Sequence, residues 1–276
     1  MRSLLLFSVL LACQTTPPPA VAPETSPSSG QRPESEQSAL IAQAPASTSA
    51  PPAPVGDAPD VAAPRDKDYP WMSLEAWWQR QRALQSIEPS IKRDSELAFL
   101  GDSIVEGWDN SVWNEFYSRY RPVRLGLGGD KTQQVLYRIE KGELDGLGSK
   151  VVVLLIGTNN FGLGEATPES TARGVTAVVN AVKAKLPAAR LLLLGILPRD
   201  ERPDGELRRK VRDTNMLIQK LDDGERVRYL DVGASFLDPD GKIPSELMAD
   251  FLHPTPKGYR VFSTALAPTL TALLSR

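Results

Sequence analysis

Histidine and cysteine are almost absent from this chain of 276 residues, which has one of each. A single cysteine excludes an intrachain disulfide and every site built from several cysteines. A single histidine excludes zinc and non-haem iron centres that need several imidazoles. Any chemistry that depends on an imidazole must therefore use His253.

Neither charge of one sign nor long apolar segments dominate the sequence. The 32 basic and 34 acidic residues give a formal net charge of −2 at pH 7. That balance provides no general attraction for a phosphate backbone, so we expect no nucleic-acid partner. No apolar run reaches the roughly 18 residues that a membrane-spanning helix requires.

The N-terminus is typical of an export signal. Arg2 precedes an apolar run from Leu4 to Leu11, and the small residue Ala12 precedes Cys13. This is the order of a basic region, an apolar region and a cleavage site. The stretch Leu-Leu-Ala-Cys resembles a bacterial lipoprotein signal peptide. The resemblance implies a lipid on Cys13 and an exported, membrane-anchored protein in the periplasm or at the cell surface. An ordinary signal peptide, or a buried N-terminal strand with an incidental thiol, is the alternative.

Residues 13–68 have the composition of a tether. Roughly half of the 24 prolines lie between Pro17 and Pro64, in a stretch rich in Ala and Ser and almost free of aromatics. Such a chain buries too little apolar surface to offset its ordering entropy, so we expect it to be disordered. With residues 1–12 as the signal peptide, residues 69–276 remain as the folded part. That length suits one domain with a sizeable core.

Short apolar strands alternate with longer helical segments in the folded part. The predicted strands are 96–100, 123–127, 151–156, 191–194 and 227–231. The predicted helices are 71–87, 108–120, 132–139, 168–186, 206–221 and 255–274. Several strands are unbroken runs of Val and Leu, which indicates parallel strands covered on both faces. The sequence therefore predicts a three-layer α/β/α sandwich around a central five-stranded parallel sheet. We interpret the tryptophans of the first helix, Trp71, Trp77 and Trp78, as packing residues.

Residues suited to acyl transfer follow several of these strands. Ser103, Gly129 and Asn159 come after the first three predicted strands, and Asp250 and His253 precede the last helix. Ligands of open α/β sheets bind beyond the carboxyl ends of the strands, so we expect these positions to converge. A base held by a carboxylate can activate a serine hydroxyl, and N–H donors can stabilise the oxyanion. Each block alone is a weak signal, because all of them also occur in turns and helix caps.

The four blocks taken in this order resemble the SGNH, or GDSL-type, hydrolases. The resemblance implies that Ser103 is the nucleophile and that Asp250 and His253 complete a catalytic triad. It also implies an oxyanion hole made by the backbone N–H groups of Ser103 and Gly129 and by the Asn159 side chain. A flavodoxin-like fold without a metal or another cofactor follows from the same resemblance.

The resemblance covers about residues 96–274 and is closest to one subgroup. Residues 126–132, Gly-Leu-Gly-Gly-Asp-Lys-Thr, look like a block of the catalytic subunits of platelet-activating-factor acetylhydrolase Ib. This implies a small-acyl esterase and, by analogy, a homodimer. The signal peptide and tether depart from the animal enzymes, which leaves the phospholipid substrate in doubt. Ile104 and Leu252, beside the nucleophile and the base, are candidates for a narrow acyl pocket or for the core.

We therefore expect a serine esterase that hydrolyses short-chain, acetyl-type esters by two-step acyl transfer. One alternative is an O-acetylesterase for carbohydrate or cell-wall polysaccharide. The other is a surface-displayed binding module without catalysis. The expected partners are a small-molecule or glycan ester and, through the lipid on Cys13, a membrane.

Overall fold

A computed structural model describes residues 58–275 of the chain. The predicted signal peptide, Cys13 and the tether up to residue 57 lie outside these residues and stay predictions from the sequence. Among the described helices, none combines the length and the apolar character that crossing a bilayer requires.

The order of elements in the described residues is that of an alternating α/β chain. The strands are β1 Leu97–Gly101, β2 Val123–Gly126, β3 Val151–Leu155, β4 Arg190–Leu194 and β5 Val227–Leu230. The α-helices are α1 Leu74–Gln85, α2 Pro89–Asp94, α3 Ser103–Glu106, α4 Asn110–Tyr117, α5 Thr132–Glu140, α6 Thr158–Gly162, α7 Pro168–Lys185, α8 Glu206–Ile218 and α9 Pro256–Leu274. Short 3₁₀ turns lie at Ser118–Tyr120, Gln219–Leu221 and Gly233–Phe236.

The five strands form one parallel sheet in the order β2-β1-β3-β4-β5. The register places Gly101 at the end of β1 beside Gly126 of β2 and beside Leu155 of β3. The ends of these three strands therefore meet at one edge of the sheet. The predicted three-layer α/β/α sandwich with a five-stranded parallel sheet is confirmed.

Alternate strand residues build the core on the two faces of the sheet. Leu100 and Leu154 belong to an apolar cluster shared with α5, α7 and α8. Phe99 and Val153 belong to the opposite cluster, shared with α4 and α9. The central strands β1 and β3 are buried on both faces, which explains why their sequences are continuous apolar runs rather than alternating ones.

Packing against the domain begins before residue 69. The Thr132 hydroxyl donates to the carbonyl of Pro59 over 2.7 Å, and Arg65 is only 3% exposed. Residues 58–68 thus belong with the folded part and not with the tether, and we call residues 58–72 the N-terminal strap. Composition gives little sign of this, because residues 58–68 are held by backbone groups, one arginine and small apolar residues such as Ala62.

The first helix begins later than its apolar spacing predicts. Tyr69 and Met72 exchange two backbone hydrogen bonds of 3.0 and 3.1 Å across a tight turn, and Ser73 then caps α1. Trp77 lies inside α1 and is 0% exposed, whereas Trp71 lies in the turn and is 59% exposed. The interpretation as a packing residue is right for Trp77 and wrong for Trp71.

Arg138 of α5 is the centre of a fully buried charge cluster. Its guanidinium contacts the carboxylates of Asp130, over 2.8 Å, and of Glu143, and all three side chains are 0% exposed. It also donates to the carbonyls of Gly101 over 3.0 Å and Leu125 over 3.3 Å. Arg138 therefore joins the ends of β1 and β2 to the loop that follows β2.

We expect Arg138→Met to lower the free energy of unfolding by about 3–5 kcal/mol, because two buried carboxylates lose their counter-charge. Urea unfolding near neutral pH measures this. The matched control is Arg202→Met, whose ion pair with Asp204 is 77% and 72% exposed and should contribute at most about 1 kcal/mol. Similar small losses for both variants would contradict the role of the cluster.

Candidate functional site

A cavity of about 410 Å³ opens where β1, β2 and β3 end, and Ser103, Gly129, Asn159 and His253 line it. The structure thus brings four of the five site residues predicted from the sequence to one cavity. The fifth, Asp250, lies behind His253 and contacts its ring.

Ser103 is the first residue of α3, directly after β1 and Asp102. Its Oγ lies 2.9 Å from Nε2 of His253. A Cβ at Gly126 would come within 2.2 Å of the Glu106 backbone nitrogen, so glycine at the end of β2 allows α3 to pack this closely. As the first residue of a helix, Ser103 has a backbone N–H without an intrahelical acceptor.

Asp250 holds both the ring and the backbone of His253. Its Oδ2 lies 2.6 Å from Nδ1 of His253, and its Oδ1 accepts from the backbone N–H groups of His253 and Leu252 over 2.7 and 3.0 Å. Although burial raises the pKa of Asp250, the hydrogen bonds from His253 and Leu252 lower it below its ordinary value. An ionised Asp250 keeps a proton on Nδ1, which leaves Nε2 to accept one from Ser103.

The loop after β2 supplies a second group of donors. Gly129 has a positive φ of 77°, a conformation that glycine adopts without a Cβ clash. Its backbone N–H has no acceptor among the described residues. Asn159 donates from Nδ2 to the carbonyl of Asp130 over 3.0 Å, and its amide carries a second N–H. Together with the Ser103 N–H, these groups suit a negatively charged oxygen in the cavity.

Asp102 is a buried carboxyl next to the serine. It is 1% exposed, and its Oδ1 accepts from the backbone N–H of Ile104 over 3.0 Å. Burial raises its pKa to about 7, against the hydrogen bond from Ile104, which lowers it. Near neutral pH a carboxyl with this pKa is only partly ionised, which reduces the negative charge beside the donors. In the part of the chain that the structure describes, no three His, Cys, Asp or Glu side chains form a group that could hold a metal ion.

The two acyl-pocket candidates have different surroundings. Leu252 lines the cavity. Ile104 does not: it is 1% exposed within the core cluster of α4 and α9, and its carbonyl accepts from the Tyr259 hydroxyl over 2.9 Å. Of the two alternatives that the sequence leaves open for Ile104, the acyl pocket and the core, the structure supports the core.

Several cavity residues are absent from the predicted site. Trp71, Met72, Arg80 and Arg199 also line the cavity. Arg199 donates from Nη1 to the carbonyl and the hydroxyl of Thr158 over 2.9 and 3.1 Å. Arg199 comes shortly after β4, and ligands of open α/β sheets bind beyond the carboxyl ends of the strands. Its position in the sequence therefore indicates that it can reach the site. Trp71 lies in the turn before α1, and the helical spacing of the apolar residues gives no sign of that turn.

The chain is similar in sequence and in fold to known proteins. The model of the GDSL-like lipase/acylhydrolase family matches residues 99–261. The human platelet-activating factor acetylhydrolase IB subunit alpha1 is 36% identical over 211 residues, which are 76% of this chain and 86% of that protein.

Two solved structures share the fold. A GDSL-like lipase from Bacteroides thetaiotaomicron has a TM-score of 0.58 at 20% identity, covering 72% of this chain and 97% of its own. An acetyl xylan esterase has a TM-score of 0.53 at 20% identity, covering 63% of this chain and 98% of its own. The family model spans the strand ends and most of the site, and the identity to the human subunit extends over most of the described residues. The chain therefore belongs to the GDSL-like lipase/acylhydrolase family and is an ester hydrolase.

Proposed function

We propose that the protein is a serine esterase that hydrolyses short-chain, acetyl-type esters by two-step acyl transfer. The observation that carries this proposal is the 2.9 Å contact between Ser103 Oγ and His253 Nε2 inside the cavity. His253 takes the hydroxyl proton as Oγ attacks the ester carbonyl, and then gives it to the leaving alkoxide. Water next attacks the acyl-serine, passes a proton to His253, and the acid leaves as Ser103 regains its proton.

Asp250 and the N–H donors act on the charges that this sequence creates. Asp250 fixes the ring of His253 and stabilises the imidazolium formed in each step. The N–H groups of Ser103, Gly129 and Asn159 stabilise the oxyanion of both tetrahedral intermediates. Because these donors are already oriented by the fold, little reorganisation is needed when the charge develops.

We expect Ser103→Ala and His253→Ala to lower turnover of p-nitrophenyl acetate by about 10⁴–10⁶-fold, since each removes a member of one unit. Asn159→Ala should lower it by about 10²–10³-fold, the usual effect of one oxyanion donor. Steady-state kinetics with Ser118→Ala, an exposed serine, as the control measures these losses. Full activity of Asn159→Ala would remove it from the oxyanion hole, and full activity of Ser103→Ala would overturn the proposal.

Acyl length depends on the apolar side chains near the serine. Leu252 and Leu163 both line the cavity with Ser103, and we propose that they narrow the space for the acyl group. We expect kcat/KM of p-nitrophenyl esters to fall from acetyl to octanoyl, and Leu252→Ala to shift the preference toward longer acyl groups. A rate that rises with acyl length in the unchanged protein would contradict a short-acyl pocket.

A carbohydrate ester is the second candidate substrate, and Trp71 favours it. The exposed indole stacks on Tyr69 with ring centroids 5.2 Å apart and planes at 27°, so it is held as a flat apolar surface at the cavity. Such a surface packs well against the C–H face of a sugar ring. A quaternary ammonium also binds indole faces. Arg80 in the cavity is paired with Glu106 over 3.0 Å, but the guanidinium of Arg199 lines the same cavity and disfavours a cation.

We expect Trp71→Ala to raise KM for an acetylated xylo-oligosaccharide about 10-fold, in proportion to a lost aromatic contact of about 1.4 kcal/mol. The kcat/KM for ethyl acetate, whose alcohol does not reach the indole, should stay within about two-fold. Acetate release measures both, with Trp71→Phe as the conservative control. Equal losses on both substrates, or faster hydrolysis of an acetylated phosphocholine lipid than of the sugar ester, would contradict the sugar assignment.

Two more proposals come from the sequence resemblance. A lipid on Cys13 holds the enzyme at a bacterial membrane, in the periplasm or at the cell surface, and two copies form a homodimer. Membrane extraction of the Cys13→Ser variant tests the first, and light scattering of the purified protein tests the second.

A further inference from the structure

Arg65 of the N-terminal strap is a buried cation directed at the loop that carries Gly129. The side chain is 3% exposed. Its Nη2 donates to the carbonyl of Gly128 over 2.5 Å, and its guanidinium carbon lies 4.4 Å from the ring centroid of Tyr69. Among the described residues, Nε and Nη1 are buried without a hydrogen-bond acceptor. Burial of a cation with so few acceptors is costly. The hydrogen bond to the Gly128 carbonyl offsets part of that cost.

That bond acts on the peptide unit that supplies an oxyanion donor. The Gly128 carbonyl and the Gly129 N–H belong to the same peptide group, and no described peptide is cis. In a trans peptide the C=O and N–H point in opposite directions. Arg65 therefore lies behind this peptide, and the Gly129 N–H is directed away from Arg65. Gly128 and Gly129 line the cavity, while Arg65 does not.

A donor on the carbonyl has two effects on the N–H. It fixes the rotation of the peptide plane, and it draws electron density from the amide, which strengthens the N–H as a donor. The preceding peptide is held as well, because the Gly128 N–H donates to Glu106 over 2.8 Å and Glu106 pairs with Arg80 over 3.0 Å. Two charged side chains thus restrain two successive peptides of the loop.

We propose that Arg65 is a positioning residue for the oxyanion hole, which orients and polarises the Gly128–Gly129 peptide so that the Gly129 N–H meets the developing oxyanion. This inference rests on the proposed esterase function. It also assigns the N-terminal strap a part in catalysis, since the cation comes from residues that precede every strand of the sheet.

The test compares Arg65→Met, which keeps the packing of the side-chain stem, with Arg65→Lys, which keeps a donor and a charge. We expect Arg65→Met to lower kcat for p-nitrophenyl acetate by about 10- to 100-fold, less than loss of a whole oxyanion donor. KM should stay within about two-fold, because the oxyanion exists only after attack. Arg65→Lys should recover most of the lost kcat, and the pH at which activity falls should be unchanged because the Asp250–His253 pair is untouched.

Arg173→Met is the matched control. Arg173 pairs with Asp60 of the same strap over 3.6 Å, and both side chains are well exposed, so its loss loosens the strap without touching Gly128. We expect wild-type kcat for this variant. A wild-type kcat for Arg65→Met overturns the proposal, and so does an equal kcat loss in Arg65→Met and Arg173→Met, which would indicate folding of the strap alone.

A second variant keeps the test decisive if Arg65→Met does not fold. Arg65→Gln retains a polar but uncharged and shorter side chain, and the same kcat loss at constant KM supports the proposal, while wild-type kcat overturns it. Thermal unfolding of each variant accompanies the kinetics. Failure of the proposed function has a different signature: the unchanged protein then releases no acetate, or Ser103→Ala releases it equally fast.

Discussion

The arrangement of the candidate site depends first on the buried guanidinium of Arg138. It contacts Asp130 and Glu143 and donates to the carbonyls that end β1 and β2. The serine follows the first of these strands, and the glycine donor follows the second. One cation therefore links the two chain segments that carry Ser103 and Gly129. Its burial is costly unless both carboxylates remain in place, so the cluster restrains the loop that contains Asp130 to a single arrangement.

Asn159 and His253 are held at the same edge of the sheet by other hydrogen bonds. Asn159 donates to the carbonyl of Asp130, so its side-chain amide is oriented by the same loop that Arg138 restrains. Asp250 orients His253 within its own turn, and the carbonyl of Phe251 accepts from the Asp200 N–H over 3.0 Å. Serine and histidine lie 150 positions apart in the chain. Only the parallel sheet, with its strand ends at one edge, brings them into contact.

Much of this arrangement can be predicted from the sequence, and the exceptions have physical causes. Continuous Val and Leu runs indicate buried parallel strands, and the order of the Ser, Gly, Asn and His blocks indicates a shared edge. The direction of a side chain beside a turn is harder to predict from the sequence. Ile104 adjoins Ser103, but its side chain is turned into the core. The N-terminal strap cannot be recognised from composition, because its residues resemble those of a tether. Its arginine, Arg65, is nevertheless buried in the fold. Trp71 follows a helical spacing but lies in a turn closed by backbone hydrogen bonds, which no apolar pattern reveals.

The proposed esterase reaction requires that Ser103 forms the covalent acyl intermediate with His253 as its base. Reaction of the purified protein with a fluorophosphonate, followed by proteolysis and mass spectrometry of the peptides, measures this most directly. We expect one phosphonate on the peptide that contains Ser103 and a strongly reduced rate of labelling in His253→Ala. Phosphonate on another residue, or an unlabelled protein that still hydrolyses acetyl esters, would contradict it.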